Sequence, residues 1–376
     1  MIPQTAPKAT YDAYKAAYDQ AVCKALASGH YILGEEVAAF EQEFAAWIGA
    51  GHAVGVANGT QAVELALRAV GVGPGDRVLT VSHTAVATAV AIVATGAEPV
   101  WVDVDPATLV MAPASLEAAI ATARQAGYGA SLKAVVAVHL YGNPVDLTAI
   151  QAICAAQGLR LVEDCAQAHG ATWQGRRVGT FGAAAAFSFY PTKNLPAFGD
   201  GGAVCTDDPE VWTRLRALRQ YGWERRYISD TLGLNSRLDE LQAALLRVSL
   251  AHLDTMNAQR GELAALYDRT LAGAPGLALP QITAGGHCVY HQYVVRTPRR
   301  DPLMAFLRER EIHTGIHYPV PIHRQPAFAG CDPAGIPLPA TENAAEHILS
   351  LPLFPQLSPD DAGLTAAAIL EFLAHD

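Results

Sequence analysis

An α/β fold with a mainly parallel central sheet is expected from three features of this 376-residue chain. Between residues 53 and 206, apolar runs of strand length alternate with segments of helix length. Such alternation builds a parallel sheet with helices covering both faces. From about residue 208 the pattern changes to two long helical stretches, and past residue 275 to a Pro- and Gly-rich region with short strands. The length exceeds one typical core, so a large domain is expected over residues 1–250 and a smaller α+β C-terminal domain over residues 251–376.

The elements follow in order. "AAFEQEFAAWIG" (38–49) has apolar residues at helical spacing, and Gly49 with Gly51 can end that helix. The strand "AVGVA" (53–57) precedes the helix "TQAVELALRAVG", and "RVLTV" (77–81) precedes "TAVATAVAIVATG". "PVWVDV" (99–104), "AVVAV" (134–138) and "LRLVED" (159–164) are further strands, with the helix "DLTAIQAICAAQG" between the last two. "AAAFSF" (184–189) and "GAVCT" (202–206) complete the set. Helices are then expected in "DPEVWTRLRALRQYG" and in the long stretch beginning "NSRLDELQAALL", followed by a short strand in "YHQYVVR" (290–296).

Composition narrows the function classes. Half of the residues are apolar and 16% are charged, which suits a large buried core. A net charge of −10 without a basic run argues against nucleic-acid binding. No run approaches the ~20 apolar residues of a membrane span, and the N-terminal "MIPQTAPKATYDAYK" shows no leader pattern. Six cysteines are scattered without a CxxC pair, which favours reduced cytosolic thiols and small buried apolar roles over a disulfide frame or zinc site.

Ligands of such sheets sit beyond the carboxyl ends of the strands. "NGT" (58–60) follows the first strand and opens a helix; Gly59 permits close backbone approach and Thr60 adds a hydroxyl beside free helix N–H groups. The motif suits a phosphate, and equally a capped turn. In "EDCAQAHGA" (163–171), Asp164 ends a strand and Gln167 and His169 follow closely. A carboxylate there can be an N-cap, or can pair with a buried cation or a protonated ring nitrogen. In "FSFYPTKNLPAFGDGGAVCT" (187–206), Lys193 lies between apolar segments. Its amine either reaches solvent at a bend between Pro191 and Pro196 or is a desolvated nucleophile that forms a Schiff base with a carbonyl. A lysine, a strand-end aspartate and a phosphate cradle together match the needs of pyridoxal phosphate.

At this point the chain resembles the DegT/StrS-like sugar aminotransferases, in "NGTQAVELAL", "EDCAQAHGA", "FSFYPTKNLPAFGDGGAV" and "GLNSRLDELQAALL", from about Tyr31 to "LPLFPQLS" (351–358). The resemblance implies the aspartate-aminotransferase-like fold (fold type I) and a pyridoxal 5'-phosphate cofactor. It implies that Lys193 forms the Schiff base, Asp164 contacts the pyridine nitrogen and Gln167 lies near the ring hydroxyl. Gly59, Thr60 and Ser188 would bind the phosphate. Asn235 would reach it from the neighbouring subunit, making a homodimer with shared active sites. The substrates implied are a nucleotide-linked keto sugar and L-glutamate. Tyr31, Tyr190, His317 and Tyr318 are candidates for the sugar pocket.

Many relatives stack an aromatic residue on the cofactor ring from the segment matching "SHTAVATA" (82–89). Here that position is Ala85, so either a smaller contact covers the ring or His83 supplies a plane. "SHTAVATAVAI", "YPTKNLPAFGDGG" and "LRQYGWERRYIS" resemble members that aminate carbon 3 of dTDP-linked 3-keto-6-deoxyhexoses. Amination at carbon 4 of a keto sugar is the alternative, as is a non-catalytic member of the fold, which would not need both Lys193 and Asp164. The spacing of His313, His317 and His323 could suit a metal on a helix, but Gly315, Pro319 and Pro321 argue against a helix there, and no metal is expected. Arg225 and Arg226 suit either the nucleotide diphosphate or a solvated loop.

Overall fold

A computed structural model describes residues 1–331 and 335–374. The central sheet has seven strands: β1 (His52–Val56), β2 (Arg77–Val81), β3 (Glu98–Val102), β4 (Leu132–Val138), β5 (Arg160–Asp164), β6 (Ala184–Ser188) and β7 (Gly202–Thr206). Their order is β1-β7-β6-β5-β4-β2-β3. Every one of the expected apolar runs became a strand. Only β7 runs against its neighbours, pairing antiparallel with both β1 and β6; the other contacts are parallel. The carboxyl ends of the other six strands therefore meet at one edge, and β7 starts from that same edge.

Helices α1 (Glu35–Ile48), α2 (Gly59–Ala69), α3 (Val86–Ala94), α4 (Pro209–Leu218) and α5 (Glu240–Leu271) matter most to the site. Helices α2 and α3 begin just past β1 and β2, so each aims its N-terminus at the carboxyl edge. Two buried cores lie along the 32-residue α5: Leu246, Leu253 and Met256 join the sheet's core, while Leu263, Tyr267 and Leu271 join a second one. That second core includes the antiparallel pair β8 (Tyr293–Arg296) and β9 (Ile348–Leu351). It also takes in Ile2, held by backbone hydrogen bonds to Glu311 and His313. The expected boundary at 250/251 thus falls inside one continuous helix. The strand expected from residue 290 starts at Tyr293, because Tyr290 adopts a left-handed φ of 46°.

The end of β5 shows how adjacent side chains take different tasks, since successive residues of a strand face opposite sides. Glu163 is fully buried and accepts N–H groups of Gly179 (2.8 Å), Phe181 (2.7 Å) and Gly182 (2.8 Å). It also accepts from His139 Nε2 at 3.2 Å, whose Nδ1 in turn accepts from the Val145 N–H. Burial pushes the Glu163 carboxyl up, yet these donors hold it below its ordinary value. The neighbouring Cys165 is sealed, and burial raises its thiol well above the usual range. Of the six cysteines four are buried, as expected; Cys23 is exposed, because its helix packs one side only, and Cys331 is half-buried.

The segment around Tyr31 is anchored from a distance. Gly34 precedes α1 without capping it through a side chain. Instead Glu240, the first residue of α5, accepts the N–H groups of Gly34 (2.6 Å), Glu36 (2.9 Å) and Val37 (2.9 Å). A carboxylate at a helix N-terminus satisfies orphan donors and complements the dipole. Replacing Glu240 by Ala should cost about 2–4 kcal/mol of unfolding free energy, as several charge-assisted hydrogen bonds are lost together; urea titration measures this, and a change under about 0.5 kcal/mol, the range of an ordinary surface substitution, would contradict the assignment.

Candidate active site

A cavity of about 360 Å³ opens at the carboxyl edge of the sheet. Asn58, Gly59 and Thr60 come to it from β1, and Thr84, Ala85 and Thr88 from β2. Asp164 ends β5 and Gln167 follows it; Ser188 ends β6, and Tyr190 and Lys193 follow it. His291, His317 and Tyr318 close it from the C-terminal part of the chain. Residues far apart in sequence meet here because parallel strands all end at one edge.

Asn58 caps α2: its side-chain oxygen accepts the Gln61 N–H at 2.9 Å. Among the described residues no protein acceptor takes the N–H of Gly59 or Thr60. The turn is therefore both a cap and an open anion cradle. The backbone approach is tight. A Cβ on Gly59 would lie 2.4 Å from Ser188 Cβ, and one on Gly202 would lie 2.5 Å from the Asn58 carbonyl oxygen. Only glycine permits β7 to start where α2 begins.

Asp164 is 5% exposed. Its Oδ2 accepts from Thr88 Oγ1 at 2.8 Å and its Oδ1 from the Ala166 N–H at 3.1 Å. Lys193 shares the cavity. Burial lowers its amine from the ordinary 10.5 to about 8, against the opposing pull of Asp164. Three imidazoles are near enough to feel this charge. His169 falls to about 3, His291 well below its ordinary value and His317 below it, each through burial first and the lysine charge second. They are neutral near pH 7, which leaves Asp164 as the counter-charge of Lys193.

Gln167 bridges two sides of the cavity: its oxygen accepts the Tyr141 N–H at 2.7 Å and its Nε2 donates to the Tyr318 hydroxyl at 3.2 Å. His317 Nδ1 pairs with Ser350 Oγ at 2.8 Å, whereas His323 pairs with Ser82 and Glu342 and His313 is exposed. These histidines have separate partners. His169, expected at the strand exit, lies behind the cavity against Phe187 and Phe189. Ala85 lines the cavity; His83 is buried away from it, bonded to the Tyr141 hydroxyl at 3.0 Å.

Tyr31 lies elsewhere, and so does Asn235, which was expected at the neighbouring subunit's site. Tyr31 is 54% exposed and Asn235 is also exposed, outside this cavity. Their neighbours, Ile32 in sequence and Gln220 across a β-bridge to Asn235, line a separate surface groove of about 910 Å³ together with Arg216, Arg219, Arg226 and Arg237. Arg226 joins it from a hairpin formed by Trp223–Arg225 and Ile228–Ser229, and Arg225 is exposed on that hairpin. Sequence reasoning missed Thr88 and His291 as site residues. A hydroxyl interrupting the apolar "TAVATAVAI" was the available signal for Thr88; His291 had none, since it sat in an expected strand.

The Lys193 amine ties pH to stability. Its folded value, about 8, lies below the ordinary 10.5, so between these pH values the unfolded chain binds the extra proton and stability rises with pH. Relative to a Lys193→Met variant, the cofactor-free protein should gain roughly 3 kcal/mol across that window. Urea unfolding of the pair at several pH values tests this, and parallel curves would refute the burial of the charge.

Known proteins resemble the chain throughout. It matches the DegT/DnrJ/EryC1/StrS aminotransferase family over residues 13–369. It is 48% identical over 365 residues to a dTDP-3-amino-3,4,6-trideoxy-alpha-D-glucose transaminase of Streptomyces venezuelae, covering 97% of this chain and 94% of that protein. A protein of the same description from Micromonospora megalomicea subsp. nigra is 48% identical over 368 residues, with 96% of each covered. Among solved structures, S. venezuelae DesV in complex with a ketimine intermediate superposes with a TM-score of 0.95 at 46% identity, over 100% of this chain and 99% of that one. With the strand-end lysine, aspartate and glycine cradle in one cavity, the chain belongs to the DegT/DnrJ/EryC1/StrS aminotransferase family.

Proposed function

We propose that the protein transfers the amino group of L-glutamate to carbon 3 of a dTDP-linked 3-keto-6-deoxyhexose, giving 2-oxoglutarate and a dTDP-3-amino-3,6-dideoxyhexose, with pyridoxal 5'-phosphate as cofactor. The observation that carries the reading is Lys193 and Asp164 in one cavity with an open helix N-terminus. The two S. venezuelae and Micromonospora relatives, named for 3-amino dTDP sugars, support carbon 3 and the nucleotide.

The residues present fit the cofactor. The bare N–H groups at Gly59 and Thr60, with Ser188 beside them, suit its phosphate, and the space that a Cβ on Gly59 would fill is kept clear. Asp164, fixed by Thr88 and the Ala166 N–H, suits a protonated ring nitrogen. When bound, pyridoxal phosphate supplies an aldehyde for the amine and a ring that draws electrons from the carbon being deprotonated. Asp164 holds the proton at the ring nitrogen. Lys193, with its amine near 8, is free to take the proton from the amino-bearing carbon of the donor and to return one to the sugar carbon. Gln167 and Tyr318 orient polar groups at the ring edge. Tyr190 and His317 stand at the cavity wall where the sugar enters.

A homodimer completes this reading. Asn235 and Tyr31 are too far from their own cavity's walls to line it, and the arginines beside them suit a nucleotide diphosphate approached from a second subunit. Val86, Val90 and Val93 form an exposed apolar stripe on α3, next to the cavity wall at Ala85. Among the described residues no helix is long and apolar enough to cross a membrane; with scattered thiols this supports a cytoplasmic site of action.

Incubation with dTDP-3-keto-6-deoxyglucose and glutamate should yield 2-oxoglutarate and a new C–N bond at carbon 3, located by NMR; amination at carbon 4 only would overturn the regiochemistry. Lys193→Ala should lose the yellow colour and roughly 10³-fold or more of the rate, and retained turnover would refute its role. Hybrid dimers of Lys193→Ala and Asn235→Ala subunits should recover one working site per dimer, whereas Asn235 serving its own subunit predicts no recovery.

A further inference from the structure

Arg260, on α5, is 5% exposed. Its Nη1 donates to the main-chain carbonyls of Tyr290 (3.3 Å), His291 (3.5 Å) and Leu353 (3.1 Å). A guanidinium carries five N–H bonds. Those of Nε and Nη2 find no acceptor among the described residues; Nε is sealed from solvent and Nη2 is not. These two atoms form one edge of the planar fork, the kind of edge that grips an anion through two parallel hydrogen bonds.

The charge is as unmatched as the donors. Among the described residues no carboxylate pairs with Arg260, and burial alone acts on it, lowering the guanidinium from 12.5 to about 10. A buried charge without a partner is costly. A cavity of about 20 Å³ lies against the side chain, walled also by Thr5, Thr10, Thr192, Lys193 and Asn194. No Asp or Glu lines it, and Lys193 adds a second cationic side chain to its wall. The remaining polar groups have no acceptor to spare. Asn194 Nδ2 donates to Asn257 Oδ1 (2.8 Å) and to the Val289 carbonyl (3.1 Å), and its Oδ1 faces His291 Nδ1 at 3.2 Å. This amide chain ends where Asn257 Nδ2 donates to the His169 carbonyl at 2.8 Å. Thr10 Oγ1 donates to Gln356 Oε1 at 3.3 Å. A cavity of this size has room for one small particle. Water there would accept from the fork but leave the charge unmatched, whereas a small anion answers both needs.

We propose that the Nε–Nη2 edge of Arg260 and this cavity form a binding site for a small monovalent anion, chloride in ordinary solution. The anion is the counter-charge of the guanidinium, and it ties the N-terminal segment at 5–10 to α5 beside the Lys193 turn. The site is independent of the proposed sugar chemistry.

Crystals of the full-length protein as purified, grown from sodium gluconate and soaked in sodium bromide, test this directly. Bromide has the charge of chloride and nearly its size. Data collected at the bromine absorption edge should show an anomalous peak in the cavity, within hydrogen-bond reach of Nε or Nη2. Density there without anomalous signal would mean that water fills the cavity, and would overturn the proposal. In solution, replacing gluconate by chloride from about 1 to about 100 mM at constant ionic strength should raise the melting temperature by about 2 °C or more. Arg260→Met, checked for folding by circular dichroism, should melt alike in both salts. A chloride shift that persists in the folded variant places the effect elsewhere and overturns the assignment. A bromide peak without any chloride shift in the wild type marks binding at crystal concentration only, and overturns it too. Should Arg260→Met fail to fold, the bromide position and the wild-type shift together decide. Neither measurement uses substrate or turnover, so a failure of the sugar chemistry would leave both outcomes intact.

Discussion

The burial of one lysine amine opposite one carboxylate is the constraint around which the rest of the site is built. An isolated ammonium in a protein interior is costly, and the lowered amine of Lys193 records that cost. Asp164 offsets part of it, but its carboxylate must itself be aimed. Thr88 and the Ala166 N–H do so from α3 and from the turn after β5. The surrounding histidines are kept neutral by their own burial, so no second cation competes for the carboxylate.

This arrangement depends on the sheet. Parallel strands bring the ends of β1, β2, β5 and β6 to one edge, and each end delivers a different polar group there. The single reversed strand β7 contributes through what it lacks: Gly202 lets the backbone pass under the α2 turn, and Gly59 lets Ser188 reach the same turn. Stability and function separate cleanly at β5, where Glu163 ties the loop at 179–182 to His139 and the next residue faces the cavity.

The C-terminal part of the chain is more than a cover. It contributes His291, His317 and Tyr318 to the cavity, and α5 supplies Asn257, which orders the amide chain behind Lys193, and Glu240, which caps α1 more than 200 residues earlier. One continuous helix thus links both cores to the Lys193 segment and to the segment carrying Tyr31.

The seven strands, the helix after each glycine-marked turn and the polar residues at strand exits were legible from sequence, because apolar period, turn chemistry and the parallel-sheet rule are local properties of the chain. Lys193, Asp164, Gly59, Thr60, Gln167 and Ser188 could be singled out for the same reason: each is a polar or glycine residue placed where a strand ends. What only the tertiary structure decided are pairings across long sequence separations, such as the reversal of β7, Thr88 on Asp164, Glu240 on α1 and His291 on Asn194. It also decided that Tyr31 stands apart from the cavity of its own chain. Hydrogen bonds of this kind depend on where two distant segments come to rest, and a local pattern of residues holds no record of that distance.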